Sequence, residues 1–427
     1  MNEKFQTPRG TRDFLPEEMI LREKVFDTVE KVFKRYGYDP LKTPAFENFE
    51  LFSTKEAIGE GEQDKFYMFK DKSDRELCLR FDQTVPFARV VASNPQLPKP
   101  FKRFEISRVW RYEEVKRGRY REFWQCDVDI AGSKDMSADV EIIDCTMTTI
   151  EELGFTDCYI RVNNRKLLSG TIQFVGIPKT KVQDVFRSID KLDKIGMEGV
   201  EKELESRGIK GKQKEKLLKI IGIKGDPQEI LEEMKKLIGE NEGILELQEL
   251  LKNLDYIKRK VILDLSLVRG LDYYTSTIFE VMSEDKKIGS IAGGGRYDKM
   301  IATFSGKEEI PAVGVALGIE RIIDLLKERE KNKVKTYTKV FVVNVNDEVK
   351  EDCLKIAKKL RQAEINIQTD IMGRDIKRQF EYANSLGIPY TLIVGPKEVK
   401  TGDFKLKNMS TGEEIELTLE EIIKKLT

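Results

Sequence analysis

Apolar positions along the first 165 residues recur with two different periods. In residues 17–36, Ile20, Val25, Val29, Val32 and Phe33 fall near helical spacing and Gly37 ends the run, so the pattern predicts a helix there. Short runs with strand character follow at 66–69, 77–80, 102–112 and 123–131. Residues 139–153 predict a second helix, closed by Gly154, and 159–163 a strand. From 166 to 258 the chain is rich in Lys, Glu, Leu and Ile with few aromatics, which predicts a helical insertion or small separate domain. Strand-like, Gly-rich runs return over 261–330 and end in PAVGVALGIERIIDLL, a strand entering a helix. Residues 327–336 read as a linker. Beyond them come a strand at 340–345, a helix at 349–363, a strand at 366–371, a helix at 374–386 and a strand at 389–394. A hairpin pattern over 403–417 and a terminal helix complete a small α/β domain.

Composition narrows the chemistry. The 427 residues suggest about three domains at ~150 residues each. Lys+Arg and Asp+Glu are both 75, so net charge names no partner and any nucleic-acid site rests on local asymmetry. There is no histidine. That excludes Ser-His-Asp and Cys-His catalysis, histidine-containing zinc sites and proximal-histidine haem. Cys78, Cys126, Cys145, Cys158 and Cys353 form no C-x-x-C pair, which favours a reducing cytoplasm over a disulfide framework. The opening MNEKFQTPRGTRDF has no apolar leader, and no run of about 18 apolar residues predicts a membrane span.

Four runs carry candidate chemistry. Residues 99–121 hold nine Lys/Arg against three Glu, either an exposed basic hairpin or an anion site. Arg111, Arg117, Arg119 and Arg121 stand around one predicted turn, and arginine suits bidentate phosphate contact. GGGRYD at 293–298 allows close backbone approach to a ligand but has neither the P-loop nor the G-x-G-x-x-G spacing. LVRGLDYYTSTIFE at 267–280 sets Arg269, Asp272, Tyr273 and Tyr274 in an apolar segment, as a salt-bridged turn or a binding pocket. Arg321 lies near the start of a helix, suited to phosphate or to a pair with Asp324. Arg111, Arg269 and Arg321 together fit a polyphosphate held without a P-loop. Chemistry on it would run on charge stabilisation.

These runs resemble the class II aminoacyl-tRNA synthetases, and specifically the histidyl-tRNA synthetase family, over essentially the whole length. PRGTRDFLP (8–16) and TPAFE (43–47) resemble the first class motif, FEISRVWRYEEVKRGRYREFWQCDVDIAG (104–132) the second and GVALGIERI (314–322) the third. LVRGLDYYT and GGGRYD resemble the two signatures that mark this family. The resemblance implies an α+β fold: a class II antiparallel sheet with flanking helices (1–165 and 259–328), an insertion domain (166–258) and a C-terminal α/β anticodon-binding domain (337–427). It implies ATP-dependent ligation of L-histidine to its tRNA through a histidyl-adenylate, with Mg²⁺, in a cytoplasmic homodimer.

By the same resemblance, Arg111 holds the α-phosphate and substrate carboxylate. Glu113 lies near the adenine amino group, Phe123 stacks on adenine, and Arg119 and Arg321 hold the outer phosphates. Arg269 supports the α-phosphate. Asp82, Thr84 and Gln125 hold the substrate amino group, and Asp129 with Tyr274 reads the two imidazole nitrogens. Tyr273, Gly294, Arg296 and Tyr297 belong to the same substrate pocket; Arg111, Arg269 and Gln125 are its catalytic set, and no protein-ligated metal is implied. Where the family often has R-P-E-G-T, this chain has Arg80-Phe81-Asp82-Gln83-Thr84, with a carboxylate one methylene shorter. The alternative is a histidine-binding regulatory paralogue serving histidine biosynthesis. Such paralogues usually lack the C-terminal domain and erode the ATP arginines.

Overall fold

The computed structural model describes residues 5–54, 58, 60–116, 118–258, 260–285, 289–329 and 334–427. Arg117 and part of the 327–336 linker lie outside the described residues. The chain divides into two compact units. One comprises the N-terminal residues to Arg12 with Val25–Arg329; the other comprises Asp13–Lys24 with the C-terminal residues to Thr427.

The first unit is built on an eight-stranded sheet. Its strands run in the spatial order Asp39–Pro40, Phe101–Trp110, Glu122–Ala131, Ala312–Gly318, Ser290–Arg296, Thr277–Ser283, Cys158–Asn164 and Val261–Leu263. The outermost pairing at each end is parallel and the five between are antiparallel. The strand Glu122–Ala131 explains why one face becomes a site. Gln125, Asp127 and Asp129 alternate with the fully buried Cys126, Val128 and Ile130. Successive side chains in a strand point to opposite faces, so the polar set shares one face and the apolar set feeds the core. Phe104, paired with Val128, packs against Phe33 of the helix Pro16–Arg35 at 5.8 Å between ring centroids.

Two helices flank the site. Thr84–Ser93 was not legible in the hydrophobic pattern, because Pro86 reads as a breaker; at the third helical position its missing N–H costs nothing. Asp82 accepts the Val85 N–H at 3.1 Å and starts this helix. Met136–Glu152 begins where Asp135 accepts the Ser137 N–H.

Between the strands Cys158–Asn164 and Val261–Leu263 lie six described helices: Arg165–Phe174, Val182–Ile189, Leu192–Ser206, Gly211–Ile221, Pro227–Ile238 and Glu242–Leu254. Ile244, Leu247, Leu250, Leu251 and Leu254 give the last of them one buried stripe. Asn164, Asp226 and Asn241 cap their helices through side-chain oxygens. In the lysine run 210–219, Lys214 is not a solvent-facing charge: Glu201 and Glu205 each hold its Nζ at 2.5 Å. Residues 264–276, strand-like in sequence, form a loop between Val261–Leu263 and Thr277–Ser283. Its polar backbone is tied by side chains. Arg165 donates to the carbonyls of Arg269 (2.7 Å) and Leu271 (2.9 Å), and Asn163 to that of Leu267 (2.9 Å).

The second unit has a five-stranded sheet in the order Ile367–Thr369, Val340–Asn344, Tyr390–Val394, Asp403–Asn408 and Glu414–Thr418. The first three are parallel and the last two antiparallel. Val340, Val342, Leu392 and Leu406 pack with Ile356 and Leu360 of Lys350–Gln362 and Ile422 of Leu419–Leu426. Phe341 and Val343, on the alternate positions, pack with Ala383 of Ile376–Ser385. The short helix Pro396–Thr401 had no apolar period to announce it. No helix among the described residues is long and apolar enough to cross a membrane. All five cysteines are free and buried.

Candidate active site

Register aligns the polar faces of neighbouring strands. Arg103 faces Asp129, Glu105 faces Asp127 and Ser107 faces Gln125. Asp127 continues across the sheet to Ala316, then Gly293, then Glu280, then Arg161. A cavity of about 330 Å³ lies over this row, within the range of small-molecule sites.

One side of the cavity is acidic and rich in acceptors. Asp82, Gln125 and Asp127 line it and are almost completely buried. Asp82 Oδ2, Gln125 Oε1 and Asp127 Oδ1 have no hydrogen-bond donor in the protein. Burial raises the Asp82 carboxyl, opposed by the Arg111 and Arg103 charges. Burial drives Asp127 well above the usual carboxylate range; Arg103 opposes this, and Asp129, Asp82 and Glu105 add to it. Asp129 is pushed up to about 6, by burial first, while Arg103 and the Tyr297 hydroxyl hold it down. Four carboxylates, Asp82, Glu105, Asp127 and Asp129, thus act on the buried Arg103 guanidinium, which lies 2.7 Å from Asp129 and 3.9 Å from Glu105. Arg80, also buried, is committed to Glu105 at 2.7 Å.

The other side is cationic. Arg111, Arg119, Arg269 and Arg321 line it from three separate segments, the first two from the loop between Phe101–Trp110 and Glu122–Ala131. Arg111 donates through Nε to the Phe81 carbonyl at 3.1 Å, and its guanidinium lies 4.5 Å from the Phe81 ring and 5.3 Å from that of Phe123. Arg119 meets Glu113 at 3.2 Å. Arg321 donates to the Ser290 carbonyl. Burial and the neighbouring Arg119 lower the Arg321 pKa, and the Glu280 carboxylate opposes them. Arg269 adopts φ +60°, a left-handed conformation costly for a side-chain-bearing residue, and its Nη1 donates to Glu280 at 2.7 Å.

Two glycines make room for these charges. A Cβ at Gly293 would lie 1.9 Å from Arg269 Nη1, and one at Gly314 would lie 1.9 Å from Asp129 Oδ1. The glycine run therefore serves close packing of charged side chains over the strand backbone.

Of the expected residues, Asp82, Thr84, Arg111, Glu113, Arg119, Phe123, Gln125, Arg269, Tyr273, Tyr274, Tyr297 and Arg321 line this one cavity. Asp129, Gly294 and Arg296 sit behind its wall. Asp129 accepts the Tyr297 hydroxyl and faces Arg103. Gly294 lies against the Gly314 carbonyl. Arg296 is buried against Asp139 and donates to the Ser133 carbonyl at 2.8 Å, so it anchors the start of Met136–Glu152. Sequence reasoning missed Asp127, Glu280 and Glu320. Asp127 shares the alternation of Gln125 and Asp129, a period-2 signal that marked it equally well. Glu320 pairs with Arg12, and the Gly10 carbonyl accepts the Arg121 N–H at 2.9 Å, so residues 10–12 brace the arginine loop and the helix that holds Glu320.

A largely antiparallel sheet with converging arginines opposite a carboxylate-lined floor is the arrangement that the resemblance to class II aminoacyl-tRNA synthetases implies. Residues 10–322 match the family model described as histidyl-tRNA synthetase, and residues 339–427 the one described as anticodon-binding domain. The chain belongs to the histidyl-tRNA synthetase family. It is 44% identical over 98% of its length to a histidine–tRNA ligase of Aeropyrum pernix, covering 96% of that protein. A histidine–tRNA ligase of Korarchaeum cryptofilum is 39% identical, with 92% of each chain covered. The crystal structure of histidyl-tRNA synthetase from Nostoc sp. PCC 7120 superposes with a TM-score of 0.85 at 33% identity, covering 99% of both chains.

Proposed function

We propose that this protein ligates L-histidine to its cognate tRNA at the expense of ATP, through a histidyl-adenylate. The observation that carries the reading is the split cavity: buried acceptors without protein donors on one side, four arginines on the other. Histidine brings an ammonium and an imidazole N–H, which are the donors that Asp82, Gln125 and Asp127 lack. The ammonium lies between Asp82, Thr84 and Gln125. The ring lies between Tyr274 and the Asp127 side, and Asp129 acts on it through the Tyr297 hydroxyl that it accepts. A site built on such bonds rejects amino acids that cannot make them.

Arg111, Arg119, Arg269 and Arg321 hold the triphosphate, with Phe123 and Glu113 at the adenine. The histidine carboxylate attacks the α-phosphorus in line; the new acyl–phosphate bond forms as the α–β bridge breaks, and pyrophosphate leaves with its charge on the arginines. The terminal ribose hydroxyl of the tRNA then attacks the acyl carbon and adenosine monophosphate leaves. Among the described residues no three His, Cys, Asp or Glu side chains are grouped as a metal cage. Mg²⁺ arriving with the ATP would be held by its phosphates, with Glu320 the cavity carboxylate available on that side, and would supply charge neutralisation. The C-terminal unit reads the anticodon, the protein acts in the cytoplasm as a homodimer, and the four retained arginines disfavour a regulatory, non-charging role.

Exchange of labelled pyrophosphate into ATP, run with each of the twenty amino acids and no tRNA, tests this. Exchange with histidine alone supports activation and specificity, and charging of histidine tRNA completes the reaction. Exchange with a different amino acid refutes the pocket assignment. Histidine binding without exchange returns the reading to the regulatory paralogue.

A further inference from the structure

Glu280 does not serve Arg269 alone. Its second oxygen faces Arg161 Nη1 at 3.9 Å, and sheet register sets Arg161 directly opposite Glu280 on the neighbouring strand. Arg161 is 8% exposed and makes two-nitrogen contact with Asp264, from Nε and Nη2 at 2.9 Å each. Its Nη1 also reaches Asp193 of the helix Leu192–Ser206 at 2.7 Å. Lys224, between the helices Gly211–Ile221 and Pro227–Ile238, holds the other Asp264 oxygen at 2.8 Å. Signs therefore alternate without a gap: Arg269, Glu280, Arg161, Asp264, Lys224. The inner end lines the cavity. The outer end, Asp193 and Lys224, belongs to the helical segment and is 65% and 57% exposed.

We propose that Arg161 is a positioning residue for the adenylation step, acting on Arg269 through Glu280. This rests on the reading that Arg269 acts on the α-phosphate. A carboxylate that answers to one guanidinium alone neutralises it. A carboxylate shared by two leaves each with part of its charge for a further anion. Arg161 fixes the Glu280 carboxylate at its far oxygen and takes a share of its charge, so Arg269 stays aligned over Gly293 yet remains able to turn its charge on phosphate. From the helical segment Asp193 holds Arg161 and Lys224 holds its partner Asp264, which ties that segment's geometry to the phosphate side of the cavity. The strained backbone of Arg269 fits this: the side chain is placed by its partners, since its own backbone conformation is not one it prefers.

The test uses the full-length protein and histidine-dependent pyrophosphate exchange, with histidine binding measured by calorimetry. Arg161→Gln is expected to lower kcat about tenfold and to leave the histidine KM and Kd within about twofold. Adding Glu280→Gln is expected to recover most of that loss, because the amide oxygen still accepts from Arg269 without opposing its charge. A merely structural role for Arg161 predicts no recovery. If Arg161→Gln does not fold, Arg161→Lys carries the test: it keeps the buried charge but cannot span Asp264 and Glu280, and kcat should fall with KM unchanged. Unchanged kcat in a folded Arg161 variant, or no recovery in the double variant, overturns the proposal. Absence of histidine-dependent exchange in the unsubstituted protein instead overturns the reading on which it rests.

Discussion

Two groups of buried charges lie on the same face of one sheet and behave in opposite ways. Around Arg161, Asp264 meets Arg161, Lys224 and the Ser266 hydroxyl and N–H. Burial works to raise its pKa, but the Arg161 charge and these bonds outweigh it and bring it to about 2. Around Arg103, four carboxylates share one guanidinium; Glu105 has Arg80 as well, and the other three, Asp82, Asp127 and Asp129, are all raised. The first group is closed, since each charge has its counter-charge within the protein. The second is open and has more acceptors than donors. A closed cluster contributes structure, whereas an open one is strain that a cationic, donor-rich ligand relieves.

Substitutions should separate the two. Asp264→Asn leaves the buried Arg161 short of a counter-charge and is expected to cost about 3–5 kcal/mol of stability, read from urea unfolding. Loss of less than about 1 kcal/mol would show that Arg161 finds full compensation in Asp193 and Glu280.

Acid titration should then show opposite signs. A carboxyl raised to about 6 from 3.8 contributes stability below pH 3.8 that is lost as pH rises through 6, about 3 kcal/mol for Asp129. Asp264, lowered to about 2, contributes stability above 3.8 that is lost as pH falls towards 2. Unfolding midpoints from pH 3 to 8 should thus fall between pH 4 and 6, and Asp129→Asn should flatten that decline. A flat profile in the unsubstituted protein would contradict the open cluster.

In the open cluster, Asp127→Asn should leave stability unchanged or slightly higher. It should lower kcat/KM for histidine in pyrophosphate exchange about a hundredfold, or about 2.7 kcal/mol. An unaffected exchange rate would remove Asp127 from the pocket. The smallest effect is expected for Lys224→Met, below about 1 kcal/mol in stability, because its ammonium is largely in water.

Much of this was legible in the chain. Strand and helix periods located the sheet strands, and the arginine-bearing motifs converge on one cavity. The 264–276 loop was not legible, because its apolar residues are buried as a strand's would be and only tertiary bonds from Arg165 and Asn163 hold it. Nor was the relative depth of Asp127 and Asp129. Two polar residues two apart on one strand look alike in sequence, and the choice is made by Gly314, which lets Asp129 sink beside the neighbouring strand. The Arg161 chain was invisible for the same reason. Its links span 11 to 119 positions, from Arg269–Glu280 to Arg161–Glu280, and only the folded chain joins them.

The glycines under Arg269 and Asp129 also bear on how this pocket can evolve. At Gly293 and Gly314 every alternative amino acid adds a carbon where a charged group already lies, so a substitution there displaces Arg269 or Asp129 before it changes what the pocket accepts. Variation in what the pocket accepts enters more readily through the 264–276 loop, where Tyr273 and Tyr274 line the cavity from outside the strands. A library aimed at a histidine analogue belongs in that loop, and the strands should be left as they are.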